Sequence, residues 1–445
     1  MMGPQALAPS VRQAGSLPYP GKAAGTINEL MPFDRVVVVM MENHSFDNLL
    51  GALPRTHPYA DGLDFDSAGS ATNFNLGIGS APPTVTAFPF TTTAQARNVS
   101  QSWRATHEQI DGGRMDGFVR AAQGANEPMG YFTPDVLPFA YSLASTFTLA
   151  NRWFCSVPGP TYPNRRFLLA GTAYGGTVTN SDALADRPPP NGTILDQLSK
   201  HNISWANYFT DAPLTSVIPS SVIRHLDHLH GIDKFFHDCQ AGTLPQVSFV
   251  DPGIGVQSSI ASALASLPLF VKDALRLIGG FPDRPSDPAE TEEDPQSMYY
   301  GESWAHGVIE AVLRSPAWER TLLVYTYDEH GGYYDHVPPP PAPLPDNIPP
   351  TLQPNDPPGD YGMYGPRVPA VVISPYSRPG GVSDVVHDHT SILATIEAKW
   401  NLPALTNRDA NAATVMDFLD TNTAALLHAP RIQAPSETGP SGPVE

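Results

Sequence analysis

The stretch Arg35–Met41, RVVVVMM, decides the fold class of this 445-residue chain. A continuous run of β-branched and apolar residues predicts a strand that is buried on both faces, as in a parallel sheet. Similar runs predict further strands at 204–209, 246–250, 321–327 and 368–373. Helical patterns lie between them, for example at 298–314 and 390–400. Buried strands that alternate with helices indicate an α/β protein with a mainly parallel sheet.

Composition limits the possible partners and compartments. The formal net charge is −19 at pH 7, so the surface repels nucleic acid and anionic lipid at long range, and we expect no nucleic-acid partner. No segment has the ~20 consecutive apolar residues of a membrane span. The first 30 residues lack the apolar core of a secretory signal, which favours the cytoplasm unless a leader has been removed. Cys155 and Cys239 form either one bridge or, as we prefer, two buried thiols.

The chain divides into three parts. Residues 1–27 are rich in Gly, Ala and Pro and predict a flexible N-terminal arm, 28–420 form one catalytic domain, and 421–445 are a polar C-terminal tail. Within the domain, residues 337–366 form a Pro-rich stretch that is too long for an ordinary connection. We interpret this stretch as a loop over the functional site. The alternative is a passive surface linker.

Two predicted strands end in groups of oxygen-bearing side chains. Glu42 and Asn43 directly follow the first strand, and Asp328 and Glu329 follow the strand at 321–327. Carboxylate and amide oxygens suit a hard cation, and adjacent buried carboxylates need a positive partner. In α/β sheets, ligands bind beyond the carboxyl ends of the strands. The alternatives are a helix cap at the first position and a solvated turn at the second.

A third segment, Val157–Phe167, reads VPGPTYPNRRF and supplies a candidate nucleophile. Pro163 predicts the first turn of a helix over 164–171, which leaves Thr161 near its N-terminus, where the macrodipole and free amides favour phosphate. A hydroxyl at that position can attack phosphorus if a metal lowers its pKa. The alternative is a plain threonine cap.

Histidines are the candidate proton donors for a leaving alcohol, because their ordinary pKa lies near neutrality. His107, in WRATHEQIDGGRMDGF, and His336, in YYDHV, are the preferred candidates. A denser group at 225, 228, 230 and 237 resembles a metal site, but its spacing on a predicted helix places only some of these histidines on one face.

Several ordered motifs together resemble the bacterial phosphoesterase family, which contains non-specific phospholipases C and acid phosphatases and is similar to the plant non-specific phospholipases C. The matching stretches are ENHSFDNLLG at 42–51, GGRMDGF at 112–118, PGPTYPNRRF at 158–167, YDEHGGYYDHVPPP at 327–340, GPRVPAVVISPYSRPG at 365–380 and HDHTSILATIEAKWNLPALTNRDA at 387–410. The resemblance extends from about residue 28 to 411. It implies an alkaline-phosphatase-like three-layer α/β/α sandwich.

The resemblance also implies functions for individual residues. Metal-binding positions of the family fall on Glu42, Asn43, Asp328 and Glu329, and its nucleophile, which also contacts the metal, falls on Thr161. His107 falls on a histidine of the phosphate pocket, and His336 lies inside a matched motif. We expect substrate contacts from Asn164, Tyr333 and Tyr334. A histidine that many members carry before the helix at 298–314 is replaced here, where Asp294 stands in EEDPQ.

We therefore expect a metal-dependent hydrolase of phosphoric esters, with phospholipase C-type cleavage through a phosphothreonine intermediate. The alternatives are an acid phosphatase that acts on phosphomonoesters and a non-catalytic protein that binds metal and phosphate. The cofactor is predicted to be one divalent ion, with Ca²⁺, Mg²⁺ or Mn²⁺ favoured by the oxygen ligands. The substrate is a small phosphoester or a phospholipid, and the sequence does not predict an oligomeric state.

Overall fold

A computed structural model describes residues 12–79, 83–180, 188–254 and 288–437. Its centre is a sheet of eight strands, with the spatial order β8-β2-β7-β6-β1-β5-β3-β4. In chain order these strands are β1 (Arg35–Met41), β2 (Thr148–Ala150), β3 (Trp205–Phe209), β4 (Leu229–Gly231), β5 (Val247–Asp251), β6 (Thr321–Tyr327), β7 (Ala370–Ile373) and β8 (Val382–Ser383). The strand predicted first, β1, lies inside the sheet, which explains why its side chains are almost completely buried.

The sheet is parallel except at one strand. β1 pairs in parallel with β6 on one side and β5 on the other, and β3 and β4 continue the parallel part. β7 runs antiparallel to both of its neighbours, β6 and β2. The register of β1 and β6 places Met41 opposite Tyr327. The residues that follow these two strands therefore emerge side by side at one edge of the sheet.

Helices cover the sheet in two groups. They are α1 (Phe46–Leu50), α2 (Trp103–Ile110), α3 (Phe118–Ala121), α4 (Pro138–Thr146), α5 (Thr161–Ala170), α6 (Ile194–Lys200), α7 (Pro219–Arg224), α8 (Ile232–Ala241), α9 (Met298–Leu313), α10 (Thr390–Trp400) and α11 (Asn407–Asn411). α9 packs with α4 and α8, whereas α10 packs with α5 and α11. α6 and α8, one from each group, both contact β3. Two helical layers that enclose a mainly parallel sheet form the expected α/β/α sandwich.

Shorter elements complete the fold. Phe74–Leu76 pairs with Thr84–Thr86 in antiparallel orientation, and Phe88–Pro89 pairs with Gly130–Tyr131 in parallel. Single 3₁₀ turns occur at Leu53–Arg55, Asp111–Gly113, Glu127–Met129, Leu214–Val217, Leu226–His228, Trp318–Arg320 and Val415–Phe418. None of the helices within the described ranges is long and apolar enough to cross a bilayer.

The long predicted elements agree with the structure, whereas three short strands of the eight-stranded sheet and the four strands of the two small sheets were missed. The bounds of β1, β6 and α10 match their predicted ranges, and β3, β5, β7 and α9 differ at their ends by one or two residues. The strands β2, β4 and β8 have only two or three residues, too few for a period-two pattern to be visible in the sequence.

Both chain ends lie against the domain where the structure describes them. In the segment expected to be a flexible arm, Gly15 donates a backbone hydrogen bond to Ala404 (2.7 Å), and Tyr19 donates one to the side chain of Asn401 (2.9 Å). In the tail, the side chain of Ile432 is buried. These contacts anchor residues 12–27 and the first part of the tail. Cys155 and Cys239 are both free, buried thiols, as preferred.

Candidate active site

The ends of β1 and β6 bring two of the predicted acidic ligands together. Glu42 and Asp328 are the next residues after the paired Met41 and Tyr327, and neighbouring strands lie ~4.8 Å apart. The backbone N–H groups of Asn43 (3.2 Å) and Glu329 (2.7 Å) both donate to the same carboxylate oxygen of Asp328. All four predicted ligands from these two loops therefore meet at one edge of the sheet.

The two glycines after His330 allow this close approach. Gly331 has φ +65°, and a Cβ atom there would lie 1.8 Å from the backbone oxygen of Asn43. Any larger residue would push the two loops apart. The N–H of Gly331 also donates to Glu329 Oε2 (2.8 Å), so the turn orients one of the predicted ligands.

Arg165 is the cation that joins these carboxylates, and it was missed in the sequence. Its guanidinium donates to Glu42 Oε1 (3.2 Å) and to Asp328 Oδ2 (3.2 Å). It also donates to the backbone oxygen of Met41. Arg165 lies on α5, one turn after Thr161, so this buried cation ties the helix that carries the candidate nucleophile to the ends of β1 and β6. The signal available in the sequence was the spacing of four residues, which places Thr161 and Arg165 on the same face of a helix.

The carboxylates are held in an environment that disfavours their charge. Burial raises the pKa of Glu42, with further contributions from Glu293 and Asp328 that oppose Arg165. Burial and the neighbouring Asp328 also raise the pKa of Glu329. Burial raises the pKa of Asp328 against the opposing charge of Arg165. Arg165 alone therefore does not balance the negative charge of the three ionised carboxylates. A bound cation would supply the missing positive charge.

Unpartnered oxygens show that these residues fit a metal ion. Glu42 Oε2, Asn43 Oδ1 and Glu329 Oε1 are all buried, and none makes a hydrogen bond to another described residue. Buried polar atoms without partners are rare in folded proteins and need an explanation. Here they are oxygens of three predicted ligands on two adjacent loops, a donor set that suits a hard divalent cation. The alternative interpretation, a helix cap, holds for Ser45, which caps α1, but not for Asn43.

Thr161 is the first residue of α5, which begins three residues earlier than predicted. Pro160 holds the cap position and makes no side-chain cap, so Thr161 is not the cap residue of the alternative interpretation. The Tyr162 N–H donates to Thr179 Oγ1 (3.1 Å), and Pro163 has no N–H. Of the first three residues of the helix, Thr161 alone keeps an N–H for an anion, which is fewer free amides than we expected.

Asn164, expected to bind substrate, instead supports the loop before Thr161. Its Oδ1 accepts from the Val157 N–H (3.1 Å), and its Nδ2 donates to the oxygens of Gly159 (2.9 Å) and Pro160 (3.1 Å). The side chain is completely buried. Because its hydrogen-bonding groups are already used, the side-chain amide of Asn164 can affect Thr161 only by fixing the backbone that precedes it.

Buried histidines orient the acidic loops. Trp153 Nε1–H donates to His389 Nδ1 (3.4 Å), which leaves His389 Nε2–H to donate to the backbone oxygen of Asp328 (2.6 Å). His330 Nε2 contacts Gln109 Oε1 (2.8 Å). Burial lowers the pKa of His389 to about 4 and that of His330 to about 3, so both are neutral near pH 7.

A pocket of about 630 Å³ opens beside this group. Pro160, which precedes Thr161, and Glu293, whose charge acts on Glu42 and Glu329, both line it. Gln353 and Asp356, from the Pro-rich stretch, form part of its wall. Glu293 is a further site residue that sequence reasoning missed. It lies next to Asp294, the residue noted as a departure from the family pattern.

His107 lies next to the pocket. Its ring packs on Trp103, which lines the pocket, with ring centroids 4.5 Å apart. Nδ1–H donates to the backbone oxygen of Trp103 (2.7 Å), so Nε2 remains available for proton exchange. Burial lowers the pKa of His107, while the charge of Asp356 acts in the opposite direction.

The structure places His336 in a different cluster. Its ring contacts Asp47 Oδ2 (2.7 Å) and Asp61 Oδ1 (3.3 Å), not Thr161 or the four acidic-loop ligands. Burial alone would lower its pKa, but the charge of Asp47 and hydrogen bonds to both carboxylates raise the pKa to about 10. Asp47, Asp335 and His336 resemble a metal site in their spacing. Arg367, fully buried, already pairs with Asp47 and Asp335, so we interpret the cluster as an ion-pair network.

The two tyrosines expected to bind substrate do not line the pocket. The Tyr333 hydroxyl lies within hydrogen-bond distance of the Asp294 carboxylate and of Gln95 Oε1 (3.0 Å), and its ring is completely buried. Tyr334 is 8% exposed and packs against Phe118. Both side chains face inward because the turn at Gly331 and Gly332 directs the chain back into the domain.

The dense histidine group does not lie on one helix. α7 ends before His225, and a 3₁₀ turn and β4 follow. His225 contacts Asp196 (2.9 Å), and His228 stacks on Trp205 at 4.2 Å. His237 is largely exposed. These contacts give the histidines structural partners of their own.

An α/β fold with buried acidic donors beside a hydroxyl at a helix start is typical of enzymes that act on phosphoryl groups. A family model described as the Phosphoesterase family matches residues 33–403, which include β1, Thr161 and β6. The chain therefore belongs to the Phosphoesterase family, and it is a hydrolase that acts on phosphoric ester bonds.

Curated relatives come from plants and bacteria. Non-specific phospholipase C6 of Arabidopsis thaliana is 30% identical, over 93% of this chain and 76% of its own. Non-specific phospholipase C1 of the same plant is 32% identical, over 86% and 70%. Non-hemolytic phospholipase C of Pseudomonas aeruginosa is 28% identical, over 84% and 54%. Among solved structures, a protein of the alkaline phosphatase superfamily from Vibrio parahaemolyticus is 10% identical over 92% and 74%, with a TM-score of 0.36.

A bound divalent cation is expected to raise the melting temperature of the metal-free protein. A ligand at one hundred times its Kd stabilises a fold by about 2.7 kcal/mol. Glu329→Gln should abolish this shift, yet leave the metal-free protein at least as stable, because it removes one buried like charge. Thermal unfolding with and without Ca²⁺, Mg²⁺ or Mn²⁺ measures both effects. The exposed Glu319→Gln serves as the control, and an unchanged shift in Glu329→Gln would contradict the ligand assignment.

His336 is expected to stabilise the fold in a pH-dependent way. Its pKa in the folded protein, about 10, lies above the ordinary value near 6.5, so its contribution is complete below ~6.5 and is lost as the pH rises towards 10. The difference in melting temperature between wild type and His336→Gln should therefore be larger at pH 6 than at pH 10. His428→Gln, at an exposed position, should show no such trend. A difference that grows with pH would rule out this interpretation of the network.

Proposed function

We propose that this protein is a metal-dependent phosphodiesterase of the phospholipase C type that cleaves its substrate through a phosphothreonine at Thr161. The observation that carries the proposal is the juxtaposition of unpartnered buried oxygens with the start of α5. Glu42 Oε2, Asn43 Oδ1 and Glu329 Oε1 lack partners in the described chain, and Arg165 ties the helix of Thr161 to the same loops. The plant and bacterial relatives, by their names, are phospholipases C.

Glu42, Asn43, Thr161, Asp328 and Glu329 would hold the ion. Bound there, a divalent cation supplies positive charge for the phosphoryl oxygens and favours the ionised form of the Thr161 hydroxyl. The chain itself fixes the geometry. Asn164 holds the loop before the nucleophile and Arg165 holds the first turn of α5. The nucleophile therefore needs little rearrangement before attack, which lowers the entropic part of the barrier.

The chemical step has two displacements. Thr161 Oγ1, which has released its proton to solvent, attacks phosphorus, the bond from phosphorus to the leaving alcohol oxygen breaks, and protonated His107 donates its Nε2 proton to that oxygen. Neutral His107 then accepts a proton from water, whose oxygen attacks the phosphothreonine and releases Thr161. On a phospholipid, the products are diacylglycerol and a phosphorylated headgroup alcohol. His107 is the preferred proton donor because His336 is engaged with Asp47 and Asp61.

Thr161→Ala is expected to remove nearly all turnover while the fold remains intact, because the hydroxyl makes no hydrogen bond to another described residue. Turnover is measured with p-nitrophenyl phosphate, p-nitrophenyl phosphorylcholine and phospholipid micelles, each with and without chelator, and circular dichroism checks the fold. Thr161→Ser should retain activity, and Thr177→Ala, at the pocket wall, is the matched control. Retention of more than a few per cent of kcat in Thr161→Ala would exclude the covalent intermediate. Turnover of the monoester alone would favour an acid phosphatase, and turnover of none would favour a binding protein.

His107→Asn is expected to slow substrates in proportion to how much help their leaving group needs. General acid catalysis contributes about 10²–10⁴-fold, so cleavage of a phospholipid should fall by at least 100-fold and that of a p-nitrophenyl ester much less. Because the pKa of His107 is lowered, the protonated form is lost as the pH rises, at a pH below the ordinary histidine pKa of ~6.5. The wild-type kcat on phospholipid should accordingly fall as the pH rises through that region, and the variant should lack this limb. Equal losses on both substrates would assign His107 to binding.

A further inference from the structure

The wall of the 630 Å³ pocket carries hydrogen-bond donors that the fold does not use. Gln101, Arg104 and Gln353 line it from two segments, the start of α2 and the Pro-rich stretch. None of these three side chains makes a hydrogen bond or ion pair to another residue in the described ranges. Each is at least partly exposed, so the donors are available to a ligand.

Other polar side chains of the same wall are already committed. The Ser102 hydroxyl accepts from the Ala105 N–H and caps α2 (3.2 Å). Thr177 donates to the backbone oxygen of Thr351 (2.7 Å), and Thr179 accepts from the Tyr162 N–H (3.1 Å). The uncommitted donors are therefore a distinct subset of the wall.

Arg104 is the one cation on the described wall of the pocket. It has no carboxylate within ion-pair distance among the described residues, although Glu293 and Asp356 line the same pocket. A guanidinium with its donors free binds oxygen acceptors such as hydroxyl, phosphate or carboxylate groups.

The described wall of the pocket has no aromatic cage for a trimethylammonium group. Such cations are recognised by aromatic faces. Trp103 is the one aromatic side chain on the described wall, and it packs between His107 (4.5 Å) and Tyr361 (6.3 Å) while its N–H donates to the oxygen of Pro357 (3.2 Å). The indole is a fixed part of the wall and does not form a cage.

We propose that the pocket is a headgroup subsite for a polyhydroxylated alcohol, such as an inositol, whose oxygens accept from Gln101, Arg104 and Gln353. Glu293 and Asp356 can accept from its hydroxyl groups. This inference rests on the proposed function, because it names the headgroup of the phosphodiester cleaved at Thr161. It makes Arg104 a specificity-determining residue that leaves the chemical step unchanged.

The test compares phosphatidylinositol with phosphatidylcholine in detergent mixed micelles and measures diacylglycerol release. We expect kcat/KM for the inositol lipid to exceed that for the choline lipid at least tenfold. Arg104→Gln should reduce that ratio towards one. Arg431→Gln, which removes the same charge at an exposed position, should leave the ratio as in the wild type.

A separate measurement does not depend on turnover. Calorimetric titration of the metal-loaded protein with inositol 1-phosphate and with phosphocholine should show tighter binding of the former, and Arg104→Gln should remove the difference. Equal or tighter binding of phosphocholine overturns the subsite, whatever the lipid assay gives. Absence of diacylglycerol from both lipids, with inositol 1-phosphate still preferred, overturns the phospholipase C proposal and supports the subsite.

Discussion

The ion contacts of one guanidinium organise the edge of the sheet where the candidate active site lies. Arg165 donates to Glu42 and Asp328, and all three side chains are buried. Removing one partner from a buried ion pair typically costs 3–5 kcal/mol, because the remaining charge is left without compensation. The positions of β1, β6 and α5 at this edge therefore depend on one another. Thr161, the proposed nucleophile at the start of α5, takes its position from the same contacts.

A second buried arginine performs a comparable structural function nearby. Arg367 pairs with Asp47 and Asp335, which follow the two acidic loops in the chain. There the cation and His336 compensate the carboxylates, and the network needs nothing further. In the group around Arg165, by contrast, buried oxygens of Glu42 and Glu329 have no partner in the described chain. That contrast distinguishes a structural network from a site with capacity for a metal ion.

The sequence predicted the parts of the fold that have strong local signals. β1, β6 and α10 are long runs with a clear pattern, and the polar residues after two buried strands indicated the acidic loops. Arg165 was missed because its partners are more than 120 residues away and a guanidinium on a helix is usually exposed. His336 and Tyr333 were assigned to the site because they share a motif with Asp328, but the turn at Gly331 sends them elsewhere. Sequence proximity within a motif does not fix the direction of a side chain.

The Pro-rich stretch has a consequence for the thermodynamics of ligand recognition. Its carbonyl oxygens at Pro357 and Thr351 accept from Trp103 and Thr177, so the domain holds the stretch although proline gives it few donors. A segment with few accessible backbone conformations loses little entropy when a ligand arrives. A ligand that binds at the pocket wall formed by this stretch is accordingly expected to bind fast and with a small entropic cost for ordering the protein. Discrimination between ligands then rests on the fit to a rigid opening, not on closure around the bound molecule.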